Sequence, residues 1–224
     1  MLKKLLKKLL EKNGKSYTPD SDLPDQLILS FLYTRLLMRL RGLLFLRKKI
    51  FIGKRVRVKH KRNFSFGANC TLEKYVTLDC YAKDKVVFGD TVKIGAYSTV
   101  SITSHMSKYG KGLRIGNNSG VGEYSFFGCS GGVQIGSDVI MGPYVSFHSE
   151  NHNFSDSSKL IREQGVSSEG IVLEDNIWVG AKVTFLDGCH VSKNSVVAAG
   201  SVVRGRFPEN VVIGGVPAKV LKQL

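Results

Sequence analysis

The sequence predicts a mainly β fold, a solenoid of short parallel strands behind a helical N-terminal segment. Three observations predict it: a six-residue apolar rhythm, small or β-branched residues four places after each beat, and glycine or acidic residues where the chain turns. From Leu173 the beat runs Leu173, Val179, Phe185, Val191, Val197 and Val203, with Ile177, Val183, Cys189, Ser195 and Ser201 between. The same register recurs at Ile135, Met141 and Phe147, at Ile115, Val121 and Phe127, at Phe88, Ile94 and Val100, at Phe66, Leu72 and Leu78, and at Ile52, Val58 and Phe64. A period of six fits neither a helix nor the alternation of a long strand. It fits three short strands closing a triangular coil, each sending one large apolar side chain inward. About seven coils follow from these triplets. A β-sandwich would instead need two-residue alternation with turns every ~8 to 12 residues.

In chain order, residues 1–49 read as a basic helical segment and residues 50–224 as the solenoid. Leu2, Leu5, Leu6, Leu9 and Leu10 lie at helical spacing opposite Lys3, Lys4, Lys7, Lys8 and Lys12. After a polar link, Ser21 or Asp22 is placed to cap a second helix over roughly 24–46, with Pro24 in its first turn. That stretch is apolar, but Arg35, Arg39 and Arg41 interrupt it, so a spanning helix is not predicted. Its apolar faces suit either an anionic membrane surface or the open end of the solenoid.

Charge is uneven along the chain. Residues 1–62 carry 18 Lys and Arg against 4 Asp and Glu, and the remainder carries 15 against 14. Nucleic acid is not the expected partner, because no zinc-finger spacing, RNP motif or basic zipper accompanies the basic segment. The N-terminus lacks the layout of a signal peptide, since lysine runs throughout it. Cys70, Cys80, Cys129 and Cys189 are scattered without a CxxC pair, which suits reduced thiols and a cytoplasmic location.

The rhythm breaks twice, over 104–113 and over an insertion at 148–170 that opens with "HSENHNFSD". Long excursions from a compact solenoid are usually functional or disordered. A histidine there has the chemistry of a general base, with an unperturbed pKa of about 6.5.

Through "IVLEDNIWVGAKVTFLDGCHVSKNSVVAAGSVV" and "FPENVVIGGVPAKVL" the chain resembles the hexapeptide-repeat acyltransferases, among them the sugar O-acetyltransferases for galactosides, maltose, capsules and exopolysaccharides. The resemblance covers roughly residues 50–224. It implies a left-handed parallel β-helix, against the usual right-handed preference of β crossovers. It also implies a homotrimer with active sites between neighbours and acetyl-CoA as co-substrate, with no metal. On the matching positions, His152 is the catalytic base and the backbone N–H of Ala181 the oxyanion donor. Trp178, Gly180, Ala181, Ala199, Gly200 and Ser201 line the CoA arm, and Arg204, Lys219 and Lys222 meet its phosphates. Where relatives often carry Thr-Lys this chain has Arg204-Gly205, and where galactoside enzymes carry an acceptor asparagine it has Gly122-Glu123, so a simple galactoside acceptor is not expected. Glu150 is placed to orient His152, while His148, Asn151 and Glu123 are candidates for contacting the acceptor.

The expected function is acetyl-CoA-dependent O-acetylation of a glycan or its precursor. Lipid-linked precursors would bring the enzyme to the inner face of a bacterial membrane through residues 1–46. N-acetylation of an amino-sugar nucleotide would use the same donor and base. A γ-class carbonic anhydrase-like metal hydratase would need three convergent histidines, for which His148, His152 and His105 lack the spacing. A non-catalytic scaffold or membrane-bound binding module would leave His152 dispensable.

Overall fold

Each beat of the six-residue rhythm lands inside. Leu173, Val179, Phe185, Val191, Val197 and Val203 are buried, and so are Ile177, Val183, Cys189, Ser195 and Ser201. Phe66 is the departure: it is half-buried and packs against the core, with Phe64 buried beside it. The computed structural model describes residues 2–12 and 18–224. The side chains of Leu5 and Lys12 and part of the polar link between the helices lie outside the described residues.

Among the described residues, three parallel sheets wrap one apolar column. The chain visits the sheets in rotation, so each coil adds one strand to each. The first sheet runs from Phe51–Ile52 to Val211–Gly215 and is closed by Ala218–Gln223, which pairs antiparallel. The second runs from Arg57–Lys59 to Val202–Val203, and the third from Phe64–Phe66 to Arg206–Phe207. Register puts like on like: Phe127, Phe147 and Phe185 are successive partners, with ring centroids 4.6 and 4.8 Å apart inside the column. Buried serines satisfy the turns, as where Ser119 Oγ donates to the Gly136 carbonyl at 2.8 Å and accepts from the Val139 N–H at 3.1 Å. The four cysteines are free and buried. Burial pushes the Cys70 thiol up to about 11 and those of Cys80 and Cys189 to about 12, which keeps them inert.

Between the first and second sheets the chain turns through three residues, the last in the left-handed conformation: Arg55, Tyr75, Tyr97, Tyr124, Tyr144, Lys182 and Gly200. The preceding glycines are sterically required. A Cβ at Gly180 would lie 2.5 Å from the Ala199 nitrogen, and one at Gly142 would lie 2.7 Å from the Ala181 nitrogen.

Helix α1 spans Leu2–Lys12 and α2 spans Asp25–Leu46. The expected side-chain cap is not made: Pro24 holds the N-cap position, and Ser21 Oγ instead donates to Asp22. A proline N-cap brings its preset φ to the helix start but no side-chain acceptor. Leu6 and Leu10 of α1 pack on Ile28 of α2, and α2 lies across the first coil, with Gly42 against the Ile50 carbonyl. Arg35 stacks on the Phe51 ring at 3.4 Å and donates to Thr71 Oγ1 at 3.1 Å, while Arg39 lies over the same ring at 4.8 Å. Burial on that ring pulls the Arg35 pKa down, partly countered by Glu73. Arg35 and Arg39 therefore face the solenoid, and most of the α2 leucines face outward, with Leu32 packed on the α1 cluster and Leu46 on the core. Leu36, Leu40 and Leu44 are exposed, the last by 84%. No described helix is long and apolar enough to cross a membrane.

Candidate active site

His152 sits on an arm that leaves the second sheet. The strand Ser146–His148 ends at the buried Ser149, whose Oγ donates to the Gly128 carbonyl at 2.8 Å and accepts from the Gly131 N–H at 3.0 Å. With its root fixed there, the chain doubles back on itself: Asn151–His152 pairs antiparallel with Val166–Ser167. Gln164 ties the arm internally, accepting from the Asp156 N–H and donating to the carbonyls of Asp156 and Lys159. The Asp156 carboxyl is held below the usual aspartate range by Ser158 and Lys159. His152 is exposed, and so are Phe154, Leu160 and Ile161 farther along the arm.

The two excursions from the solenoid are latched together. Glu150 Oε1 accepts from Ser104 Oγ at 3.1 Å, and its buried Oε2 has the Lys108 ammonium 3.2 Å away as counter-charge without an aligned hydrogen bond. Lys108 also donates to Ser168 Oγ at 2.8 Å. The Glu150 carboxylate is thus engaged with residues of the 104–113 segment rather than with the His152 ring. Asp187 clamps the exit of the arm by accepting from the N–H groups of Glu169 and Gly170, with Asn151 Nδ2 3.5 Å from its Oδ2. Ser104, Lys108 and Asp187 were not legible as site residues, because their partners lie 17 to 60 positions away in sequence. His148 points out of the second sheet and packs against Phe126 at 5.8 Å.

The remaining candidates lie on another edge of the triangular coil. Trp178 projects from the first sheet, 60% exposed beside the exposed Ile140. At the adjoining corner the Ala181 carbonyl accepts from the Gly200 N–H at 2.9 Å, while the Ala181 N–H donates to no acceptor among the described residues. Ala199 and Gly200 are exposed on the next coil, with open space where a Gly200 side chain would be. Ser201 is buried and donates to the Ala198 carbonyl at 2.6 Å, so its hydroxyl faces inward. Arg204, Lys219 and Lys222 are exposed near the C-terminal end, and Glu123 is exposed one residue before Tyr124. Within one chain, then, His152 and the turn of Ala181 lie at different corners. Among the described residues no three His, Cys, Asp or Glu side chains are grouped to hold a metal ion.

No family model matches the chain. Over 166 residues it is 28% identical to a protein of Escherichia coli strain K12 provisionally named lipopolysaccharide biosynthesis O-acetyl transferase WbbJ, covering 70% of this chain and 81% of that one. Over 93 residues it is 34% identical to a galactoside O-acetyltransferase of Lactococcus lactis subsp. lactis strain IL1403, covering 41% and 44%. Among solved structures, a hexapeptide-repeat-containing acetyltransferase of Vibrio cholerae O1 biovar eltor, complexed with acetyl-coenzyme A, superposes with a TM-score of 0.55 at 21% identity. That superposition covers 96% of this chain and 97% of the other, and at such identity it speaks to the fold.

Proposed function

Because the chain belongs to the hexapeptide-repeat acyltransferase family, we propose that it transfers an acetyl group from acetyl-CoA to a sugar hydroxyl of a surface polysaccharide or its lipid-linked precursor. One observation carries the reading: the exposed His152 is held on a braced arm, in a chain whose relatives include a protein named as a galactoside O-acetyltransferase. The coils are inferred to wind left-handed, as the family resemblance implies.

The residues fit the donor. Acetyl-CoA supplies an activated thioester. The outward Trp178, the small residues Ala199 and Gly200 and the open space beside them suit an extended pantetheine arm, and the exposed Arg204, Lys219 and Lys222 suit its phosphates. His152 takes the proton from the attacking hydroxyl and returns it to the departing sulfur. The Ala181 N–H, lacking an acceptor among the described residues, donates to the oxygen on which negative charge develops; such a donor contributes about 3 to 4 kcal/mol. Glu150 acts on this machinery through the arm it anchors, and Asn151, His148 and Glu123, all but the last near the root of that arm, are the proposed acceptor contacts.

Two features support a homotrimer with shared sites. His152 and Ala181 occupy different corners of one chain. Two exposed apolar patches, Phe154 with Leu160 and Ile161 on the arm and Trp178 with Ile140 on the first sheet, require a cover. The outward leucines and basic charge of residues 1–46 support peripheral attachment to an anionic membrane.

The deciding experiment is thiol release from acetyl-CoA with a panel of glycans and sugar nucleotides, with products identified by mass and NMR. His152→Ala should lower acceptor-dependent release about 10²- to 10⁴-fold while acetyl-CoA still binds. Full activity in that variant would remove the histidine from the chemistry, and an N-acetylated product would move the acceptor to amino sugars.

A further inference from the structure

Four tyrosines stack along one corner of the solenoid, and nothing described so far uses them. Tyr75, Tyr97, Tyr124 and Tyr144 occupy the left-handed position of successive turns between the first and second sheets, with φ between 56° and 61°. Their ring centroids are 4.8, 4.9 and 5.1 Å apart, and their planes lie within 8° of parallel. The turn does not ask for tyrosine. Among the other described non-glycine residues in the left-handed conformation asparagine is the commonest, as at Asn69, Asn118, Asn176, Asn194 and Asn210, the side chain that tolerates this conformation better.

The stack is open to solvent along its edge, from 37% exposure at Tyr75 to 51% at Tyr144. The Tyr75 hydroxyl accepts from Arg55 at 3.3 Å, and those of Tyr97, Tyr124 and Tyr144 make no hydrogen bond among the described residues. The ladder also has a direction. It starts beside Arg55 on the first coil, next to α2, and ends one turn before the proposed oxyanion donor, where the Lys182 N–H donates to the Pro143 carbonyl at 2.9 Å. Past Tyr144 the corner carries Lys182 and then the bare Gly200, so the rings give way to open space beside Ala181 and Ala199.

A row of ring edges and free phenol hydroxyls at a constant rung spacing matches a ligand that is itself repetitive, amphipathic and rich in hydroxyls. A lipid chain would leave the phenols unpaired. Nucleic acid would need a basic field, and residues 63–224, which carry every rung of the ladder, hold 15 Lys and Arg against 14 Asp and Glu. We propose that the tyrosine ladder is an acceptor track for a glycan chain, so that the acceptor is an oligosaccharide or polysaccharide spanning several rungs, not a single sugar. This rests on the acyltransferase reading above.

The test uses the full-length protein with size-graded oligosaccharides, from monosaccharide to hexasaccharide, of glucose, galactose, N-acetylglucosamine and sialic acid. Acetyl transfer and, separately, binding of the fluorescently labelled oligosaccharides without acetyl-CoA are measured. Efficiency and affinity should rise with length until the ladder is filled. Tyr97→Ser should lower tetrasaccharide kcat/KM about tenfold relative to monosaccharide, through KM, while Tyr97→Phe, which keeps the ring in the stack, should lose less. Length-independent transfer and binding would overturn the track and leave the acetyltransferase standing. Length-dependent binding weakened by Tyr97→Ser, with no transfer to any acceptor, would keep the track and sink the proposed function. A Tyr97→Ser protein that changes its mass in light scattering would assign the ladder to a contact between copies and overturn the proposal.

Discussion

Glu174 accepts from a His190 ring nitrogen at 2.8 Å and from the Lys193 N–H at 3.0 Å, and these bonds hold its carboxyl below the usual glutamate range. A carboxyl depressed on folding adds stability above its unfolded value, and that stability fades as pH falls through the lower folded value. The side chain is 39% exposed, so solvent screens the effect and the gain is modest. Glu174→Gln should therefore melt lower than wild type at pH 7, and the two melting curves should converge below the folded pKa. A difference that persists undiminished in acid would assign Glu174 a role unrelated to its charge. At this scale the sequence singled out a candidate where one residue breaks a pattern, as His152 does, and was illegible where a role depends on a distant partner. Lys108 reads as an ordinary loop lysine until folding places Glu150 and Ser168 beside it.

The rungs inside and outside the solenoid obey different rules. The inner stack Phe127, Phe147 and Phe185 is dictated by burial, and Phe147→Ala should cost about 3 to 5 kcal/mol, read as a lowered denaturant midpoint. A loss below 1 kcal/mol would mean that neighbouring coils collapse into the space. The outer tyrosines are not dictated by burial. A left-handed backbone costs roughly 1 to 2 kcal/mol per residue, and each stacked pair returns about 0.5 to 1.5 kcal/mol, so stacking offsets only part of the conformational cost. The inner rungs announce themselves as a period of six. The outer ones fall at uneven intervals, because the excursion over 104–113 separates Tyr97 from Tyr124, and they align only once coils are counted in space. The orientation of α2 was hidden for a related reason: its apolar residues run all round it, so no stripe says which face meets the solenoid. The arginines decide it by stacking on Phe51.

For the whole molecule, the triplet pattern disclosed the coil count and core, whereas the expectation of a second copy at the site came from the family resemblance alone. With Leu36 and Leu40 outward and Arg35 pinned inward, one end of the molecule is greasy and basic while the rest is nearly neutral. Leu36→Glu with Leu40→Glu should abolish co-sedimentation with phosphatidylglycerol vesicles, and undiminished co-sedimentation would detach α2 from the membrane role. The arginine latch has one more consequence. Because it fixes α2 to the first coil, and because coils stack at the strand spacing, Trp178 lies five steps away, roughly 24 Å along the axis. On a bilayer-bound enzyme the prism is then a ruler that sets the height of the reaction above the lipid. If the acceptor is a lipid-linked glycan, as proposed, the sugar modified would be chosen by its distance from the anchor as well as by its identity.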